Sequence, residues 1–190
     1  MFNIKLKSKM RKIKHIILSI LFLVILKKFS LAQIPTTSII ENRLKTLGVI
    51  LPESTPSSGN VIGAVTVGNL VFLSGHGPDK PEGGQVIGKV GDNLTIEEGR
   101  EAARLAGIAL LKTLKSEIGN LDRVKRIVKV LGMVNATPDL TEQPKVINGF
   151  SEFIVEVFGK EKGPHARSAV GLNSLPSGIA VEIEMIVEIE

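Results

Sequence analysis

The sequence predicts an α+β fold, a mixed β-sheet with two long helices packed on one face. Three observations carry this expectation. Apolar residues recur at helical spacing in two stretches, Ala103, Ala106, Leu110 and Leu114 in the first and Val146, Phe150, Phe153, Ile154 and Val157 in the second. At the C-terminus the period drops to two, where Val181, Ile183, Met185, Val187 and Ile189 alternate with Glu182, Glu184, Ile186, Glu188 and Glu190. The order helix, two strands, long helix, strand, helix, two strands then gathers the long helices into one layer. No helix remains for the other sheet face, which either meets water or packs against further copies of the chain.

Residues 1–32 read as a leader. Lys5, Lys7, Lys9, Arg11, Lys12 and Lys14 precede an apolar run over residues 16–26, and Ser30-Leu31-Ala32 stands before Gln33. The pattern is that of a secretory signal peptide, because so short a run does not span a hydrocarbon core of roughly 30 Å as a helix. Export to a periplasm or the outside is therefore expected. Lys27 and Lys28, placed behind the apolar run, leave an uncleaved, membrane-associated leader as the alternative and the only expected membrane contact.

Residues 33–60 hold a short helix and a linker. Ser38 and Glu41 have capping-box spacing, Gly48 closes the helix, and residues 52–60 are rich in Pro, Ser and Gly. The domain proper is expected over residues 61–190. It opens with strands at 61–67 and 70–74, joined as a hairpin through Gly68-Asn69. Turn residues from His76 to Gly84 follow, and Thr95-Ile96-Glu97-Glu98 caps the longest helix, which ends near Gly119. A largely apolar strand spans 126–134, a helix runs over 144–158 with Asn148 off its apolar stripe, and two strands around Leu175-Pro176-Ser177-Gly178 finish the chain.

The basic balance of the whole chain does not describe its body. Eight of the 24 Lys and Arg fall in the leader, where there is no acid; residues 34–190 keep 16 basic against 19 acidic residues, a net charge of about −3. With no basic stripe and no Trp or Tyr to stack bases, nucleic acid is not an expected partner. Cysteine is absent, which excludes disulfides and thiol nucleophiles. His76 and His165 lack metal-ligand spacing, so no metal is expected, and Gly75-His76-Gly77 opens into a turn instead of the helix a dinucleotide site requires. Asn93 and Asn135 begin Asn-x-Thr patterns that matter only in a eukaryotic secretory route.

Arg167 and Glu182 remain. If Val170 and Leu172 face the core, Arg167 points the other way, onto the face that carries Glu182. A hairpin around Pro176 would then set guanidinium and carboxylate nearly opposite each other, either as a cross-strand ion pair or as a site.

The segments LVFLSGHGP, GNLDRVKRIVKVLGMVNA, KVINGFSEFIVEVFG and HARSAVGLNSLPSGIAVEIEMIVEI resemble the RidA (YjgF) family, especially the branch that carries the names endoribonuclease L-PSP and chorismate-mutase-like. The resemblance covers about Ile39 to Glu190. It implies a chorismate-mutase-like fold, a homotrimer with clefts between subunits, and hydrolytic deamination of reactive 2-imino and enamine acids to 2-keto acids and ammonia, without a cofactor. By this likeness the family's carboxylate-binding arginine falls on Arg167 and its water-positioning glutamate on Glu182. The ligand-holding Ser-Gly falls on Ser74 and Gly75, and the helix asparagine on Asn148. The family's tyrosine falls on Val61 and its cysteine on Ala169, so both side chains are missing. His76, directly after Ser74-Gly75, is a further pocket candidate.

The expected activity is thus that of a 2-iminobutanoate/2-iminopropanoate deaminase acting on a small carboxylic acid. Two alternatives stand beside it: a non-catalytic small-carboxylate-binding or interaction protein of the same fold, in which turnover is lost with those two side chains, and an endoribonuclease, as the branch's name implies.

Overall fold

The computed structural model describes residues 38–51 and 60–190. The leader, its export or membrane alternative, and residues 52–59 of the linker lie outside the described residues. No described helix is long and apolar enough to cross a membrane.

Helix α1 (Ile39–Thr46) starts at Ser38, whose side chain accepts the Glu41 amide. Asp122 supplies a second cap from across the fold, accepting the Ile39 and Ile40 amides at 3.1 and 3.0 Å. Strands β1 (Ala64–Val67) and β2 (Leu70–His76) form the expected hairpin. Helix α2 (Ile96–Ile118) begins with the complete capping box between Thr95 and Glu98. The Thr95 backbone amide, and then its hydroxyl, hold the Glu98 carboxyl below its ordinary range. Strand β3 (Val124–Asn135) leads into α3 (Gln143–Lys162), then come β4 (Ala166–Leu172) and β5 (Val181–Ile189).

The five strands form one mixed sheet in the order β1-β2-β5-β3-β4, with β3 and β4 parallel and the other neighbours antiparallel. Both long helices lie on one face. All five apolar residues of the β5 alternation are buried there, together with Ala103, Ala106, Leu110 and Leu114 of α2 and Val146, Phe150, Phe153, Ile154 and Val157 of α3. The helices approach closely at Gly149, where any side chain would collide with the Arg100 carbonyl.

The expected C-terminal hairpin is not formed. A helix between two strands makes them parallel neighbours, and α3 does this for β3 and β4. The chain then crosses the end of β3 through residues 173–180 and enters β5 on the far side, antiparallel to β3. Asn135 sits under this crossing, donating to the Gly88 and Ile179 carbonyls, and at 5 % exposure it is no glycan acceptor.

The register also corrects which way β4 faces. Val130 is buried beneath the helices and stands opposite Arg167, so Arg167, Ala169 and Gly171 point to the helix side. Met133 stands opposite both Val170 and Glu182 and shares the open face with them. Val170 and Leu172 are 40 % and 37 % exposed and do not belong to the core. Arg167 and Glu182 therefore occupy opposite faces of the sheet, with β3 between their strands.

On the open face Val65, Phe72 and Ile186 form a cross-strand apolar row. Beside it Glu188 pairs with Lys125 and Arg126, each at 2.8 Å. The Lys125 hydrogen bond, reinforced by the Arg126 charge, holds the Glu188 carboxyl below its ordinary range. Glu182 and Glu184 have no such partner among the described residues.

A candidate carboxylate-binding site in two halves

The first half is built on a β-bulge. Leu73 pairs with Met185 and His76 with Ile183, so Ser74 and Gly75 together face the single residue Glu184. This irregularity brings the Gly75 backbone against Glu182, and a Cβ on Gly75 would overlap the Glu182 carboxylate. Ser74 fixes the approach to β1: its amide donates to the Gly63 carbonyl at 3.0 Å and its hydroxyl to the Ile62 carbonyl at 2.7 Å. Val61, the next residue back, is largely exposed. Ser74, Gly75, Glu182 and the Val61 segment are thus assembled together.

His76 does not join them. Its Nδ1 faces the Ser74 carbonyl and its Nε2 the Thr113 hydroxyl, both at 2.7 Å, so the ring points to α2 on the helix side. The carbonyl can only accept, which makes Nδ1 the donor and leaves Nε2 to accept from Thr113. The residue anchors the strand end to a helix.

The second half lies where edge strand β4 meets α3. Arg167 donates through Nη1 to Asn148 Oδ1 at 2.9 Å and to Ser151 Oγ at 3.0 Å. Asn148 and Ser151 are three apart on α3 and so lie on one side of it. Both Nη1 hydrogens are used, which leaves Nε and Nη2, the side of the guanidinium fork that matches a carboxylate. No carboxylate among the described residues pairs with Arg167. Ala169 follows two residues later on the same face, partly buried against the core.

Ser151 and His165 belong to this half, although sequence reasoning gave them no role there. His165 Nε2 lies 3.0 Å from Ser151 Oγ and its Nδ1 lies 2.7 Å from the Gly163 carbonyl. The i, i+3 relation of Ser151 to Asn148 and the i−2 relation of His165 to Arg167 are the signals that mark them. Burial pushes the His165 imidazole below its ordinary pKa of 6.5; the Gly163 bond pulls it upward, and the Arg167 charge adds a smaller downward push. Among the described residues no cluster of three or more His, Cys, Asp or Glu could hold a metal ion.

A mixed five-stranded sheet covered on one face by two long helices defines a chorismate-mutase-like α+β domain. Residues 41–183 match the family model described as "YjgF/chorismate_mutase-like, putative endoribonuclease", and the chain belongs to that family, the RidA (YjgF) family. Protein TCP17 of Trypanosoma cruzi is 42 % identical over 146 residues, covering 77 % of this chain and 91 % of its own. The crystal structure of Atu1372 from Agrobacterium tumefaciens, a protein of unknown function, is 39 % identical with a TM-score of 0.72, over 80 % of this chain and 92 % of that one. The crystal structure of "a putative endoribonuclease" from Shewanella oneidensis is 30 % identical with a TM-score of 0.74, over 79 % of this chain and 99 % of that one.

Proposed function

We propose that the protein hydrolyses reactive 2-imino acids to 2-keto acids and ammonia, in a pocket where the Arg167 half of one chain meets the Glu182 half of another within a homotrimer. The observation that carries this reading is the state of Arg167. Its guanidinium is fixed by two neutral acceptors and keeps one fork side unpaired, an arrangement suited to gripping a small carboxylate with two charge-assisted hydrogen bonds. The ion-pair alternative has no support, since Glu182 lies on the other sheet face.

With the carboxylate held, the C=N carbon of the imino acid is presented to water. Glu182 orients that water, takes its proton as oxygen bonds to carbon and passes that proton on to the imine nitrogen, giving a carbinolamine. Collapse of the carbinolamine expels ammonia and leaves the 2-keto acid. Because the two halves face opposite sides of one sheet, a second copy must bring Glu182 to Arg167. The open face, with Val65, Phe72 and Val170 exposed, supplies apolar surface for such packing.

A second reading is favoured by Val61 and Ala169, which lack the hydroxyl and thiol that the family resemblance places there: a carboxylate binder without turnover. Ammonia release from freshly generated 2-iminopropanoate separates the two. The first reading expects acceleration over buffer that falls about a hundredfold or more in Arg167→Ala, the loss of two charge-assisted bonds. Undiminished activity in that variant contradicts it, and activity that appears only in Val61→Tyr supports the binder. The unpaired Glu182 and Glu184 on the open face weigh against a phosphate-tracking ribonuclease surface.

A further inference from the structure

We propose that His165 is a positioning residue for the Arg167 half-site: its protonation, relayed through Ser151, strengthens the grip on a carboxylate. The inference rests on the reading of Arg167 as a carboxylate binder and adds to it a proton-linked control.

The hydrogen bonds form a directed chain. The Gly163 carbonyl can only accept, so His165 Nδ1 carries a hydrogen; neutral His165 then presents Nε2 as an acceptor, and Ser151 donates its single hydroxyl hydrogen to it. Arg167 can only donate, so Ser151 Oγ accepts from Nη1. In this state the hydrogens of His165 Nδ1, Ser151 Oγ and Arg167 Nη1 are engaged inward, while those on Nε and Nη2 of Arg167 are not. A proton added at His165 Nε2 reverses one link. Ser151 then accepts from both imidazolium and guanidinium, which its two lone pairs allow, and its own hydrogen is released toward an acceptor beside the guanidinium. A second positive charge also stands near that acceptor.

The groups around the ring make such a response one-sided. Phe150 of α3 packs edge-on against it at 5.9 Å between centroids, Ser151 of α3 and the Gly163 carbonyl take its two nitrogens, and Arg167 of β4 is the charged group that acts on it. A carboxylate seated on Arg167 offsets that repulsive charge, so ligand binding raises the proton affinity of His165. By reciprocity, protonating His165 raises the affinity for the carboxylate.

The test uses the full-length protein with pyruvate as probe, since it stays anionic across the range. Affinity is measured by calorimetry at about pH 7.5 and about pH 4.5, a window extended downward because burial holds His165 below the ordinary histidine value. The wild type should bind about threefold to tenfold more tightly at the lower pH, with net proton uptake; His165→Gln should bind with one affinity at both pH values; Arg167→Ala should lose binding at both. A pH-independent wild type alongside a dead Arg167→Ala variant overturns the His165 role and leaves the Arg167 reading intact. Full binding by Arg167→Ala overturns both. In ligand-free protein, nitrogen NMR of His165 should show the Nδ1–H tautomer above its pKa, and the Nε2–H tautomer there also contradicts the relay.

Discussion

Arg167 is defined by what touches it and by what does not. Asn148 and Ser151 hold one nitrogen of its guanidinium, and the rest of the fork is available to a planar anion. Gly75 has the complementary role at the other half, because its missing side chain is the space the Glu182 carboxylate fills. Gly75→Ala should push that carboxylate aside and lower kcat for imine hydrolysis by about tenfold or more, a loss of positioning. KM should change little, which steady-state ammonia release would show; an unchanged kcat would mean that Glu182 does not need its present seat. At this scale the sequence was informative about identity and silent about orientation. The family resemblance, whose arginine and glutamate fall on Arg167 and Glu182, picks out both residues, but Val170 and Leu172 mislead about direction. Apolar identity marks a core face only when the opposite face is polar, and here the open face is itself partly apolar.

The elements follow from local signals where those signals are complete. Thr95 and Glu98 close a reciprocal cap and α2 begins there; the alternation over residues 181–189 gives β5 its buried face. The pairing of β4 was not legible, because a turn sequence such as Pro176-Ser177-Gly178 looks the same whether it links neighbours or carries the chain over an intervening strand end. The β3-α3-β4 crossover was the overlooked cue, since a helix between two strands favours parallel pairing. Packing of α2 against α3 depends on Gly149 lying on the Arg100 carbonyl. Gly149→Ala should therefore separate the helices and destabilise the domain by about 1–3 kcal/mol, since backbone gives way less readily than a side chain. Chemical denaturation checks this, and a variant as stable as the wild type would show that the crossing has slack. Asn148 lies next to Gly149, so the same variant should also weaken pyruvate binding.

For the molecule as a whole, the sheet separates the residues that the proposed chemistry would join. Glu182 with the bulge occupies one face, Arg167 with Asn148, Ser151 and His165 the other, so neither face of a single chain carries a complete pocket. Assembly with the open face inward would bury Phe72 and Val170 and bring unlike halves together, each interface pairing one chain's arginine with the next chain's glutamate. The family resemblance and the absence of a helix over one sheet face raised the expectation of an interface; the division of the named residues between two faces was not legible, since it depends on strand order. Subunit complementation tests this directly. Arg167→Ala and Glu182→Gln chains, each inactive alone, should regain ammonia release when unfolded and refolded together. About a quarter of the pockets in a randomly mixed trimer would draw an intact arginine from one chain and an intact glutamate from its neighbour. Mixed trimers, verified by mass spectrometry, that stay as inactive as their parents would contradict a pocket shared between copies.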